Sequence, residues 1–239
     1  MVFPIIDLAV VQNLNILIAC EESDRVRSAF AQMGFNAWSC DLLPTRNPDS
    51  SKHLQMDVFE AIQLMQWDVL IGFPPCTHLC LTGAHLWRKK RELGIQQEAI
   101  QFFVDLYNQP IKHIALENPM GILNQAFRKF DQKIQPYFFG DPEQKATCLW
   151  LKNLPKLLHY DKPNLFGFPV THCERKPRIE FKTKDGRTKK VSNWFYSTYG
   201  INPKDRAKIR STTFQGIADA MAEQWGNYLI DCYKLNLKK

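Results

Sequence analysis

Nothing in this 239-residue sequence is apolar for long. The run ILIAC covers five residues, 16–20, and no window approaches the roughly 20 that a membrane-spanning helix needs. Residues 1–11 lack a basic n-region and contain Asp7, so we expect no secretory leader, no membrane partner and a cytoplasmic protein. The seven cysteines are odd in number and scattered at 20, 40, 76, 80, 148, 173 and 232. They do not suggest a disulfide framework and read as free thiols. Quartets of metal ligands are missing too. Cys76-Thr77-His78-Leu79-Cys80 has the look of half a zinc site, but His172-Cys173 stands nearly a hundred residues further on, so no metal is expected. There is no internal repeat and no low-complexity segment. Hydrophobic residues are 45% and charged residues 23%, which excludes disordered, collagen-like and coiled-coil chains. A chain this long buries a core without disulfides or metals.

The net charge of +7 is uneven. Residues 174–210 carry twelve Lys/Arg against four Asp/Glu, a net of +8, which leaves the other 202 residues at −1. A near-neutral body with one basic segment suggests a face for a polyanion; the plainer reading is a solvated, charged loop.

LNILIAC (14–20) is a candidate strand, followed by helical spacing at Val26, Phe30 and Met33 that Gly34 stops. FNAWSCD (35–41) is a second strand ending at an acid, and WDVLIGF (67–73) a third that runs into Pro74-Pro75-Cys76. IKHIALEN (111–118) is a fourth, with a short helix expected over 58–65 and a longer one over 91–107. Strands and helices alternating at this spacing predict a parallel, doubly wound α/β sheet. Beyond Pro119 the pattern changes. Tyr137-Phe138-Phe139 and residues 146–151 suggest two further strands joined by a turn. In RIEFKTKDGRTKKV (178–191), Asp185-Gly186 between alternating runs predicts a basic hairpin. Residues 217–230 form a closing helix with Ile217, Met221 and Trp225 on one face.

Ligands of open α/β sheets bind beyond the carboxyl ends of the strands. Four polar features fall there: Glu21-Glu22-Ser23-Asp24, Asp41, Cys76 and Glu117. Two prolines before Cys76 fix φ and present its thiol rigidly, as suits a nucleophile; alone, the thiol reads equally as a buried structural cysteine. Glu117 alone reads as a helix cap or an ion-paired acid. Together they suit one chemistry. A thiolate adds to C6 of a pyrimidine when an acid engages ring N3, and C5 then becomes a nucleophile toward an electrophilic methyl.

PPC (74–76) and ENP (117–119) resemble the cysteine and glutamate motifs of DNA cytosine-5 methyltransferases. ILIACEESDRVRSAF (16–30), AWSCDLLP (37–44), GFPPCTHL (72–79), LENPMGIL (116–123), FFGDPEQKATCLWLKNLP (138–155) and RSTTFQGIADAMAEQW (210–225) resemble, in order, small phage-encoded DNA methylases of that type. The resemblance implies a Rossmann-like fold that uses S-adenosyl-L-methionine, with residues 1–159 as catalytic core. It implies a small, basic, target-facing region over 160–213 and a C-terminal helix over 214–239 that completes the core. Cys76 is then the covalent nucleophile and Glu117 its partner at N3. Ala19, Cys20, Glu21, Glu22 and Ser23 match the cofactor loop. Asp41 matches the ribose ligand and Asp57 the acid that reads the adenine amino group, with Phe73 and Pro74 along the adenine. Duplex DNA with a flipped-out cytosine is the implied partner. Lys182, Lys184, Arg187, Lys189, Lys190 and Lys145 would meet it, and Trp194, Tyr196 and Tyr199 could stack on bases.

The sequence also departs from that family. Cys20, Glu22 and Ser23 stand where glycines let a backbone approach a cofactor. Gln144-Lys145 stands where the enzymes have Gln and Arg. Only 62 residues separate Leu151 from Phe214, where the enzymes carry a larger recognition domain. Two other readings therefore stay open: a methyltransferase of free pyrimidine nucleotides, and a degenerate methyltransferase fold serving as a DNA-binding or regulatory protein.

Overall fold

The computed structural model describes residues 11–48, 51–159, 173–183 and 185–237. Residues 1–10, where no leader is expected, lie outside the described residues, as do His172 and Lys184. Seven strands form one sheet: β1 (Asn15–Ala19), β2 (Asn36–Asp41), β3 (His53–Gln55), β4 (Val69–Gly72), β5 (His113–Asn118), β6 (Gln132–Ile134) and β7 (Thr147–Lys152). Their order is β3-β2-β1-β4-β5-β7-β6. The pairings from β3 to β5 are parallel, and β7 runs antiparallel to both β5 and β6.

The strands are apolar runs because both faces of the sheet are covered. Alternate residues go to opposite faces. On one face Ile16, Ile18, Val69 and Ile71 meet Val26 and Phe30 of helix α1 (Arg25–Gln32). On the other, Leu17, Leu70, Ile114 and Leu116 meet Ala61 and Ile62 of α2 (Val58–Gln63), and Phe103 and Leu106 of the helix after β4. A mixed α/β molecule with helices on both sides of a mostly parallel sheet results.

The long helix expected over 91–107 is instead two, α3 (Trp87–Glu92) and α4 (Ile95–Tyr107). Gly94 parts them at φ 75°, a left-handed conformation no helix interior accepts. Residues 137–139 are not a strand: Pro136–Phe139 is a 3-10 turn closed by Gly140 at φ 95°, and the strand pairing with β7 lies earlier, at β6. Pro136 brings no amide donor and a fixed φ, which suits a turn better than a ladder. A single helical turn, α5 (Leu123–Ala126), lies between β5 and β6.

After residue 173, β8 (Ile179–Lys182) and β9 (Thr188–Val191) pair antiparallel, with Ile179 opposite Val191 and Lys182 opposite Thr188. Then come α6 (Asn193–Ser197) and α7 (Pro203–Ser211), the latter capped by the Asn202 side chain on the Asp205 amide at 3.0 Å. The closing helix is α8 (Gln215–Ala220), a π-turn over Met221–Trp225, and α9 (Gly226–Leu237). Ile217, Met221 and Trp225 pack into the same core as Val26 and Phe30. No helix of the described residues is long and apolar enough to cross a membrane.

Candidate active site

The chain leaves β1 toward β2 on one side and returns through β4 on the other, so a crevice opens where the two directions part. A cleft of about 920 Å³ fills it, within the range of small-molecule sites, roughly 300–1,000 Å³. Its floor is Cys20, Glu21, Glu22 and Ser23 after β1, Asp41 at the end of β2, and Phe73 and Cys76 after β4. Its far wall is α7, with Lys204, Lys208 and Arg210.

The loop after β1 has glycine geometry without glycine. Ala19 is fully buried at the strand end, and Cys20 follows at φ 57°, a conformation L-residues adopt at a cost. Glu21 is buried, with its carboxylate turned onto the start of α1. Its carboxylate accepts from the Val26 amide at 2.9 Å, the Arg27 amide at 3.1 Å and Ser23 Oγ at 3.0 Å. It therefore satisfies the first amides of α1. Burial raises its pKa against those three hydrogen bonds. Glu22 is ion-paired with Arg46. Asp41 faces the cleft with its Oδ1 on the Leu43 amide at 2.9 Å; burial, then Glu22, raises its pKa. Asp57 caps α2 through the Phe59 amide at 2.8 Å and is near enough to Cys20 to raise its thiol, after burial and Asp41.

The second cluster sits on β4 and β5. Asn118 Nδ2 donates to the Pro74 carbonyl at 2.9 Å and ties the two motif-bearing strand ends together. Cys76 begins a single tight turn, its carbonyl accepting from Leu79 and Cys80 amides at 3.0 and 3.1 Å. Glu117 is half-buried, and its enclosure raises the carboxyl to about pKa 6 against the pull of Lys145. Glu117, Lys145, Phe73 and Thr147 line a void of about 20 Å³ behind the cleft floor. Glu117 and Lys145 are close enough to Cys76 to act on its ionisation in opposite senses, and they act on each other's. Lys145 is lowered by burial. Its ammonium donates to the Arg210 carbonyl at 2.7 Å and lies 5.3 Å from the Trp194 ring centre. The sequence offered no signal for this inward position beyond the place of Lys145 beside a motif.

The hairpin cations divide. Opposite residues share a face in an antiparallel pair. Lys182 and Lys190 therefore share one face, and Lys189 stands beside Phe181 on the other. Lys190 pairs with Glu180 at 2.8 Å and Arg187 with Asp185. Tyr196 and Tyr199 pack on Phe181, with ring centres 5.4 and 5.7 Å away, so they hold the hairpin against α6. Trp194 packs on Phe214 at 5.7 Å. Apart from Arg46, the cations that line the cleft come instead from α7, which sequence reasoning missed. Their i, i+4 spacing at Lys204 and Lys208, behind the Asn202-Pro203 start, is the signal that could have found them. Arg46 holds this wall: it donates to Thr212 Oγ1 at 2.6 Å and to the Lys208 carbonyl at 3.0 Å. Among the described residues no three His, Cys, Asp or Glu side chains gather as metal ligands would.

No family model and no curated protein matches the chain. Among solved structures, a candidate DNA modification methyltransferase encoded within an E. coli prophage is similar over 58% of this chain, at 19% identity and a TM-score of 0.39. The likeness covers 46% of that protein, so the chain spans less than half its length. A likeness of this size assigns no role to any residue.

Proposed function

We propose that this chain methylates C5 of cytosine in DNA, with Cys76 as covalent nucleophile and Glu117 as the acid at N3. One observation carries the reading. A thiol and a carboxyl stand at the carboxyl ends of two neighbouring parallel strands that Asn118 Nδ2 ties together through the Pro74 carbonyl at 2.9 Å, and the Lys145 ammonium is near enough to act on the ionisation of both.

The residues of the cleft fit S-adenosyl-L-methionine. The volume suffices, Cys20 holds the backbone shape that glycine gives such loops, and Asp41 and Phe73 face the same space. Asp41 would take the ribose, Phe73 and Pro74 the adenine, and Asp57 its amino group. Cys20, Glu22 and Ser23 would line the methionine end, with Ala19 as their buried footing. When bound, the cofactor supplies an electrophilic methyl. The protein does the rest. A carboxyl with a pKa of about 6 holds its proton at mildly acidic pH and gives it to N3 of a flipped cytosine. Cys76 then adds at C6, and the ring electrons move to C5. Lys204, Lys208 and Arg210 on the far wall, with Lys182 and Lys189 of the hairpin, would meet phosphates.

A radiolabelled methyl-transfer assay on unmodified DNA tests the reading. Label should reach C5 of cytosine, and DNA carrying 5-fluorocytosine should trap a denaturation-resistant adduct on Cys76. An active protein whose adduct forms elsewhere, or never forms, overturns the assignment. A second reading, a non-catalytic DNA-binding module on the same fold, is favoured by Glu21, which closes the first amides of α1 to a ligand carboxylate. Calorimetry with the cofactor separates the two: no heat at millimolar cofactor supports the module.

A further inference from the structure

Three polar side chains surround the void behind the cleft floor, and they are not bonded to one another. Glu117 of β5 stands opposite Leu149 of β7, and Thr147 lies two residues before Leu149. Opposite residues share a sheet face, and so do residues two apart along a strand. Glu117 and Thr147 are therefore diagonal neighbours on one face, roughly 7–8 Å apart at their roots. Both line the void, and Lys145 joins them from the segment before β7. Thr147 is 4% exposed, and its hydroxyl has no hydrogen-bond partner among the described residues. A buried hydroxyl left so is costly unless something bonds it. No ion pair joins Glu117 to Lys145 among the described residues. The Lys145 ammonium uses one proton on the Arg210 carbonyl at 2.7 Å and has others to give. Phe214, Ile217 and Met221 form the apolar side of the void, which measures about 20 Å³. One water needs roughly 10–15 Å³ and two to four polar partners; a pyrimidine base needs far more.

We propose that one ordered water occupies this void and that Thr147 positions Glu117 through it. The inference rests on the methyltransferase reading and deepens it by naming the residue that sets the acid. The water accepts from the Thr147 hydroxyl and from the Lys145 ammonium, and it donates to one oxygen of the Glu117 carboxyl. An oxygen that accepts on the void side leaves the acid proton to the other oxygen, on the side of Cys76, where it is held for N3 of the base. The water gives up no proton of its own and stays in place through the reaction. Thr147 touches neither substrate nor cofactor and acts only through Glu117.

The full chain gives two tests without DNA or cofactor. A high-resolution crystal structure should show a water within hydrogen-bond reach of Thr147 Oγ1 and a Glu117 oxygen; a dry void overturns the bridge. Glutamate labelled with carbon-13 at its carboxyl is then titrated by NMR, the Glu117 signal being the one that Glu117→Gln removes. Thr147→Val keeps the shape of threonine without its hydroxyl, and Thr147→Ser keeps the hydroxyl. Glu117, at about pKa 6 in the wild type, should titrate at higher pH in Thr147→Val, because its carboxylate loses support from the donor behind the water. In Thr147→Ser it should titrate as in the wild type. Lys145, Cys76 and Cys148, the titratable groups near Glu117, are the same in all three proteins. Coinciding midpoints in wild type and Thr147→Val overturn the link whatever the activity. Thr147→Ala set against Thr147→Ser makes the same comparison if the valine variant does not fold. Methyl transfer tests the positioning itself. Thr147→Val should lower kcat by about tenfold, within the roughly 100-fold that a 1 Å misplacement can cost. It should also move the fall of kcat/KM to higher pH and leave KM for DNA unchanged, and Thr147→Ser should restore the wild-type profile. A wild-type rate and profile in Thr147→Val removes Thr147 from the reaction and leaves Glu117 as the acid. A protein that holds the water yet transfers no methyl group refutes the methyltransferase reading, and with it any part of Thr147 in the reaction, while the bridge stands.

Discussion

Glu117 and Lys145 make the sharpest demand at the scale of single residues. Glu117 must be protonated to serve N3, and burial holds its pKa at about 6. The group acts in its acid form, so kcat/KM should fall as pH rises through about 6. Lys145 pulls Glu117 down; Lys145→Met should therefore move that limb to higher pH, and Glu117→Gln should abolish the limb along with most of the rate. A profile flat through pH 6 would show that Glu117 is not the acid. Cys20 makes a different demand, on stability. At φ 57° its backbone accepts glycine freely, while a β-branched side chain there is an outlier. Cys20→Val should lower stability by about 1–2 kcal/mol and Cys20→Gly should stay within about 1 kcal/mol of wild type, as urea unfolding would measure. Sequence motifs located Cys76 and Glu117 correctly at neighbouring strand ends. They could not reveal that Glu21 folds back onto α1 or that Lys145 points inward, because both depend on which neighbours are left without partners once the chain is packed.

At the scale of elements, legibility followed burial. β1, β2, β4, β5 and β7 bury residues on both faces and could be read directly. β3 is HLQ and β6 is QKI, three residues each at the two sheet edges, and segments so short carry no period to detect. The closing helix was visible as a stripe, but not how it docks. Gly216 gives its amide to Asp141 Oδ2 at 2.8 Å, and a Cβ there would stand 1.8 Å from the Phe139 carbonyl oxygen. Gly216→Ala must push α8 off the 3-10 turn. The expected loss is about 1–3 kcal/mol, seen as a Tm lower by about 2–4 °C per kcal/mol; an unchanged Tm would mean this contact yields freely. Arg46 is the corresponding fastening of α7. Arg46→Met should raise hydrogen exchange of the 203–213 amides more than that of β1 or β4, and equal rates would deny α7 its hold through Arg46.

For the molecule as a whole the question is which of its cations meet DNA. The charge distribution points to 174–210 as one basic segment, but folding sorts that segment into unlike parts. Arg187 and Lys190 already face Asp185 and Glu180 within the hairpin, so they release few counterions on binding. Lys204 and Lys208 are exposed, stand one turn apart on α7 and line the cleft that holds Cys76. Two variants that each remove two positive charges therefore should not behave alike. Removing one lysine or arginine that neutralises a phosphate flattens the dependence of log K on log salt by about 0.9 on duplex DNA. Lys204→Ala with Lys208→Ala should reduce the slope by up to about 1.8, whereas Arg187→Ala with Lys190→Ala should leave it nearly unchanged. Binding titrations from low to moderate salt decide the matter, because overall charge is the same in both variants and only its location differs. The reverse result would place the DNA on the hairpin and leave α7 as a wall of the cleft alone.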